Sequence, residues 1–110
     1  MIKNPPIVTI AIAAYNGEKF ISKAIESVLC QNYPNFKIII SDDCSSDKTQ
    51  KICCNHADKD HRIKYIRQSK NIGSISNYYF LYKNAETNSK YFKFLDQDDC
   101  LVGDSFLSSL

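Results

Sequence analysis

The segment Ile7–Ala14, IVTIAIAA, constrains the fold more than any other part of the chain. A strand with one wet face alternates apolar and polar residues, whereas one that is apolar at nearly every position is covered on both faces. Parallel sheets with helices on both sides provide that cover. The rest of the chain fits this requirement. Pro5 and Pro6 keep the start of the segment out of a helix. GEKFISKAIESVLCQNYP then places Phe20, Ala24 and Val28 at four-residue spacing, with Ile21, Ile25 and Leu29 one position over. Glu18, Lys19, Ser22, Lys23 and Glu26 take the opposite side, so the pattern predicts a core-facing helix that ends before Pro34.

FKIIIS reads as a second buried strand, and SSDKTQKICCNHAD as a helix with Ser45, Ser46 or Asp47 available as N-cap. RIKYIRQ alternates and predicts a third strand with one wetter face. SISNYYFLYKNAE predicts a helix with Ile75, Tyr79 and Tyr82 on one side, KYFKFLD a fourth strand, and GDSFLSSL the start of another helix. The order is β-α-β-α-β-α-β-α: an α/β fold with a parallel sheet, helices on both faces and right-handed crossovers.

At 110 residues the chain makes one domain. Its formal net charge of +2 gives no argument for a nucleic-acid partner. Lys64, Arg67 and Lys70 are the densest basic group and read as a solvated strand edge. The five cysteines are odd in number and lack zinc-site spacing, even with His56 and His61 nearby, so free thiols in a reducing compartment are expected. The apolar amino-terminal stretch of eight residues is too short to span a bilayer and lacks a signal-peptide layout, which points to the cytoplasm.

In open parallel sheets ligands bind beyond the carboxyl ends of the strands. The residues just after each predicted strand are therefore informative: AAYNG, SDDCSSD, SKNIGS and DQDD. The opposite edge offers Pro5, Asn35, Arg62 and Lys90, a bland set. Taken singly, Asn16-Gly17 is a common turn, Asp42 and Asp43 can cap the next helix, and Asn71-x-Gly73 can be a helix entry. The last cluster is different. Asp96, Asp98 and Asp99 would repel one another by about 2–3 kcal/mol per pair at ~6 Å and an effective dielectric near ~20. Splaying into water avoids that cost, and a bound cation offsets it. Hard oxygen ligands on a turn suit Mg²⁺ or Mn²⁺. A helix start near Gly103 and Asp104 would add a favourable field for phosphate.

VTIAIAAYNGEKFISKAIESVLCQNYPNFKIIISDDCSSDKT, together with NIGSISN and FLDQDD further along, resembles the amino-terminal, nucleotide-sugar-binding half of the family 2 glycosyltransferases of the GT-A fold, over about residues 7–107. The resemblance implies a Rossmann-like sheet in which Ala13, Ala14 and Tyr15 line a nucleotide pocket, with the Tyr15 ring against the base. It implies that Asp43 accepts the ring N–H of uracil while Asp42 supports the loop, and that Asn71 and Gly73 lie near the donor diphosphate or sugar. Asp98, with Asp96 or Asp99, would belong to the acidic motif that holds the divalent cation and the donor.

The activity so implied is inverting transfer of a sugar from a UDP- or dTDP-sugar to a glycan or lipid-linked acceptor. The location would be the cytoplasm, or the inner face of the membrane for a full-length enzyme. Cys44 and Ala13 depart from the residues frequent at those positions, without touching the carboxylates. In this family the acceptor site and the base come from the second half of the domain. The expectation is thus a truncated chain with the donor and metal site only, inactive alone, whose exposed sheet edge invites self-association. Three other readings stand beside it. A nucleotidyltransferase or metal-dependent phosphotransfer domain would want a glycine-rich loop where AAYNGEKF stands. A receiver-like domain would want its acidic pair after the first strand. A non-catalytic nucleotide-binding or structural remnant is compatible with every residue.

Overall fold

The computed structural model describes residues 6–85 and 89–103. Seven elements succeed one another: β1 (Ile7–Ala14), α1 (Ile21–Leu29), β2 (Phe36–Asp42), α2 (Thr49–Lys59), β3 (Ile63–Arg67), α3 (Ser74–Lys83) and β4 (Ser89–Phe94). The strands form one parallel sheet in the order β3-β2-β1-β4, as the alternation of patterns predicts. β1 is central, which is why it is apolar on both sides.

Even-numbered residues of the two central strands, among them Ile10, Ile12, Ile38 and Ile40, pack with Ile21, Ala24, Ile25 and Val28 of α1 and Cys53 of α2. Odd-numbered Ala11 and Ile39 face the other way and meet Leu81 of α3. The two faces are unequal: a broad aliphatic core lies under α1 and α2, and a small one lies under α3.

Several boundaries differ from the sequence expectation, each for a local reason. Gly17 O accepts from both Phe20 N and Ile21 N, a turn that delays α1 until Ile21 and leaves Phe20 half exposed outside the core. α2 starts at Thr49, so Ser45 and Ser46 are not its cap; Asp47 accepts from Thr49 N at 2.9 Å and Thr49 Oγ1 at 2.6 Å just ahead of it. Ile75, Tyr79 and Tyr82 do share one side of α3, and that side faces out; its buried residues are Asn77 and Leu81. β4 ends at Phe94, although Leu95 N still donates to Ala11 O. The helix expected in GDSFLSSL falls on residues 104–110, outside the described residues. All five cysteines are free thiols, and burial pushes the Cys53 thiol up to about 12, so it is chemically quiet. No helix among the described residues is long and apolar enough to cross a membrane.

The return from α2 to β3 is closed by an ion pair. Asp60 Oδ1 accepts from Arg62 N and Nε, each at 3.0 Å, and Oδ2 from Nη2 at 2.8 Å. The Arg62 guanidinium lies 4.2 Å over the Phe36 ring, so the pair also covers the start of β2. The Arg62 hydrogen bonds hold the Asp60 carboxyl at about 2, below the usual carboxylate range. A folded-state value below the unfolded one stabilises the fold above about pH 4, and that stabilisation fades as the pH falls through about 2. Asp60→Asn is expected to cost about 1 kcal/mol at neutral pH, the figure allowing for solvent screening. Urea titrations from pH 7 down should show the two proteins converging toward pH 2; a gap that stays constant would mean that the charge contributes nothing.

Candidate functional site

A cavity of about 420 Å³ opens at the carboxyl ends of β1, β2 and β4, against the start of α3. Ala13 and Ala14 line it from β1, Tyr15 and Asp43 from just past the ends of β1 and β2, and Asn71 and Gly73 from the loop before α3. Asp96 and Asp98 line it from the turn after β4. Eight of the ten site residues read from the sequence are thus brought together in one place. The other two lie next to it. Asp42 is fully buried beneath the loop, and Asp99 stands outside the lining but within the acidic cluster.

The β2–α2 loop is built on Asp42. Its Oδ1 accepts from Ser45 N at 2.9 Å and Ser45 Oγ at 2.5 Å; its Oδ2 accepts from Tyr65 OH at 2.6 Å and Arg67 Nη1 at 3.5 Å. Arg67 Nη2 also donates to Ser45 O at 3.0 Å. Arg67 stays exposed on the edge strand β3, as its reading as part of a solvated edge expects, and its guanidinium still reaches Asp42, because a buried carboxylate needs a cation and donors. Burial and the Asp42 carboxylate push the Tyr65 phenol well above its ordinary value, so it remains a donor across the physiological range. The loop turns through Cys44 at φ 62°, a left-handed conformation unusual for a residue with a side chain.

Further bonds join this loop and the start of α2 to the loop after β1. Asn16 N donates to Ser45 Oγ and Gly17 N to Thr49 Oγ1, both at 2.9 Å. Asn16, at φ 48°, accepts in return from Ser46 N at 2.9 Å.

Asp43 faces the cavity with both carboxylate oxygens already in use: Oδ1 accepts from Ile72 N at 2.7 Å and Oδ2 from Gly73 N at 3.0 Å. Gly73 has φ 88°, and this conformation is what a glycine is needed for there, since a Cβ would meet nothing. Asp43 thereby holds the entry to α3. Each oxygen retains a second lone pair for a ligand donor.

Four lining residues escaped the sequence reading: Ser74, Asn77, Tyr78 and Gln97. Asn77 sits one helical turn after Gly73 and is 2% exposed. Its Nδ2 donates to Ser41 O at 2.9 Å, which fixes the amide orientation and leaves Oδ1 without a partner. Tyr78 OH donates to Asp96 Oδ1 at 3.0 Å, and its ring meets Phe94 edge-on at 4.9 Å. Burial, then the bond to Asp96, pushes its phenol up. The one signal that could have found Asn77 was a polar residue on the inward side of α3.

The acidic turn is closed by Asp99 N donating to Asp96 O at 3.0 Å. Carboxylate oxygens of Asp96, Asp98 and Asp99 lie within 4.8 Å of one another, all three residues exposed. That spacing and donor type fit a hard divalent cation. Among the described residues no lysine or arginine lines the cavity, and the charged groups that do are Asp43, Asp96 and Asp98.

Tyr65→Phe isolates the support of the loop. It removes one of the donors to a buried carboxylate and should destabilise the fold by about 1–3 kcal/mol, with the ring packing retained. Equilibrium unfolding checks it; an unchanged midpoint would mean that Asp42 is held adequately by Ser45 and Arg67 alone.

Comparison with known proteins agrees with this geometry. The description "Glycosyl transferase family 2" matches residues 9–110. An uncharacterized glycosyltransferase of Haemophilus influenzae is 34% identical over 107 residues, 97% of this chain and 42% of the relative. S. aureus TarS residues 1–349, solved in complex with UDP, superposes with a TM-score of 0.83 at 27% identity, covering 93% of this chain and 30% of that one. TarS has also been solved with UDP-GlcNAc. At 17% identity, and so informative for the fold alone, the mannosyltransferase PcManGT from Pyrobaculum calidifontis, in complex with GDP-Man and Mn²⁺, gives a TM-score of 0.81 over 93% of this chain and 30% of its own. The chain thus spans less than half the length of these relatives. With a parallel α/β sheet, a cavity at its carboxyl edge and a family match over nearly its whole length, the chain belongs to glycosyl transferase family 2.

Proposed function

We propose that the cavity binds the nucleoside diphosphate portion of a sugar donor together with a divalent cation, and that the chain supplies the donor side of an inverting glycosyl transfer. The observation that carries this reading is the charge of the cavity. Asp43, Asp96 and Asp98 line it, no basic side chain among the described residues does, and the last two belong to a cluster spaced for a hard cation. An anionic ligand entering alone would meet repulsion; entering with Mg²⁺ or Mn²⁺ it would not. The UDP and UDP-GlcNAc bound by TarS support the same reading.

Each residue then has a physical task. Tyr15, half exposed at the rim, offers an aromatic face to a base. Asp43 offers its remaining lone pairs to a base N–H, as a UDP-sugar or dTDP-sugar would present. Asn71 and Gly73 are placed by Asp43 beside the first turn of α3, where backbone N–H groups favour phosphate. Asp96, Asp98 and Asp99 would hold the cation, Mg²⁺ or Mn²⁺, which when bound neutralises charge on the departing nucleoside diphosphate. Attack by an acceptor hydroxyl on the far face of the anomeric carbon needs a base within hydrogen-bond reach. Asp42 is buried, Asp43 is committed to α3, and the turn carboxylates are committed to the cation, so none of these serves as that base. A glycan or lipid-linked acceptor is the class consistent with the family.

Calorimetric titration of UDP into the chain with and without Mn²⁺ tests the reading. Mn²⁺ should strengthen binding by about tenfold or more, equivalent to about 1.4 kcal/mol. Asp98→Ala should remove that gain and leave the melting temperature unchanged, since the residue is exposed. dTDP and GDP serve as comparators for the base. Binding of UDP that ignores Mn²⁺, or no binding to the folded chain, would sink the proposal.

A further inference from the structure

Gln97 stands between Asp96 and Asp98 in the acidic turn, yet its side chain leaves the turn for the loop after β1. Its Oε1 accepts from Tyr15 N at 2.9 Å and its Nε2 donates to Tyr15 O at 3.0 Å. One amide therefore satisfies both backbone groups of one residue, as a strand partner would. The pairing has a cause in the register. β4 is paired to β1 as far as Phe94 opposite Ala11, and Leu95 N reaches Ala11 O. The turn then rises beside Ala13–Tyr15 with no strand left to pair, and Gln97 continues the ladder with its side chain. Beyond Leu95, these two bonds are the hydrogen bonds that join the turn to the end of β1 among the described residues. The amide also fills the space over Gly17, where a Cβ would fall well inside contact with Gln97 Oε1.

Two parts of the cavity wall are thus tied through one side chain. On one side are the carboxylates spaced for a cation; on the other is Tyr15, the aromatic wall. We propose that Gln97 is a positioning residue that couples cation binding on the acidic turn to nucleoside binding against Tyr15. The inference rests on the donor-binding reading above. A cation that draws Asp96 and Asp98 into one arrangement fixes the turn between them, and the Gln97 amide transmits that order to the Tyr15 backbone. By linkage, a bound nucleoside strengthens cation binding by the same factor. A diphosphate hides this effect, because its oxygens can meet the cation directly. A nucleoside without phosphate does not, so any effect of the cation on its affinity must travel through the protein.

The experiment uses uridine and UDP as probes, each titrated with and without Mg²⁺ and read from backbone amide signals by NMR. Mg²⁺ should strengthen uridine binding to the wild-type chain about fivefold, at the low end of typical coupling between sites. In Gln97→Ala the factor should fall to about one, while UDP keeps the direct part of its Mg²⁺ dependence. Gly17→Ala offers a second route: it leaves the turn and Gln97 chemically intact, but its methyl group displaces the flexible amide from Tyr15. It should give the same loss, and in both variants the Tyr15 amide should exchange faster in the absence of any ligand. Thermal melts of each variant exclude unfolding as the cause. A Mg²⁺ effect on uridine equal in wild type and variants overturns the coupling, as does its absence in a wild-type chain whose UDP binding still depends on Mg²⁺. If neither probe binds the folded wild type, the donor-binding reading falls and takes the coupling with it.

Discussion

The site depends on one buried charge, the carboxylate of Asp42 at the end of β2. A carboxylate without exposure is tolerated only with its oxygens satisfied and an opposite charge close by. Ser45, Tyr65 and Arg67 meet that demand from the β2–α2 loop and the neighbouring strand. In doing so they force the chain to reverse sharply, through Cys44 at positive φ, and they point the next residue, Asp43, into the cavity. Asp43 then sets the start of α3 by accepting from Ile72 and Gly73. A chain of polar contacts thus runs from β3 through Asp42 to α3, across loops that no hydrophobic packing would hold in place.

The two faces of the sheet divide stability from function. Under α1 and α2 the core is aliphatic and continuous, so those helices fix the sheet. Under α3 the core is small: Ala11 and Ala13 present little side chain, and Asn77 is buried where an apolar residue would ordinarily sit. Small residues on β1 let α3 approach the sheet while leaving room at its first turn, and that room is the cavity. With Ile75, Tyr79 and Tyr82 facing out, α3 is held by Leu81 in the small core together with two polar anchors, Asn77 on Ser41 and Tyr78 on Asp96.

The sheet and most of the cavity were legible because both rest on local pattern. Apolar runs gave the strands, and the residues just past the end of a parallel strand must lie at its carboxyl edge. Asn77, Tyr78 and Gln97 were not legible, because their roles depend on how α3 is rotated and on the register of β4 against β1, neither of which is written in local spacing. The buried partner of Arg67 was not legible for a related reason. In sequence Arg67 is one of three scattered cations, and only the pairing of β2 with β3, which sets it opposite Asp42, shows that it has a buried partner. The late start of α1 is caused by Gly17, whose carbonyl takes two donors at once and makes a turn where the apolar spacing alone continued a helix back to Phe20.

The density of negative charge after β4 has its explanation in how the acids differ. Asp42 is paired from below with Arg67, and both oxygens of Asp43 accept backbone N–H groups at the start of a helix, so both carboxylates are committed to shape. Asp96, Asp98 and Asp99 are not. Water screens their repulsion because all three are exposed, and Tyr78 satisfies only one oxygen of Asp96. The fold therefore bears little strain from the cluster while leaving its field directed at the cavity. An uncharged glutamine at the centre of the turn fits the same logic. A fourth carboxylate there would add repulsion and could not donate to Tyr15 O, whereas the amide ties the turn to β1 without altering the charge that a cation would meet.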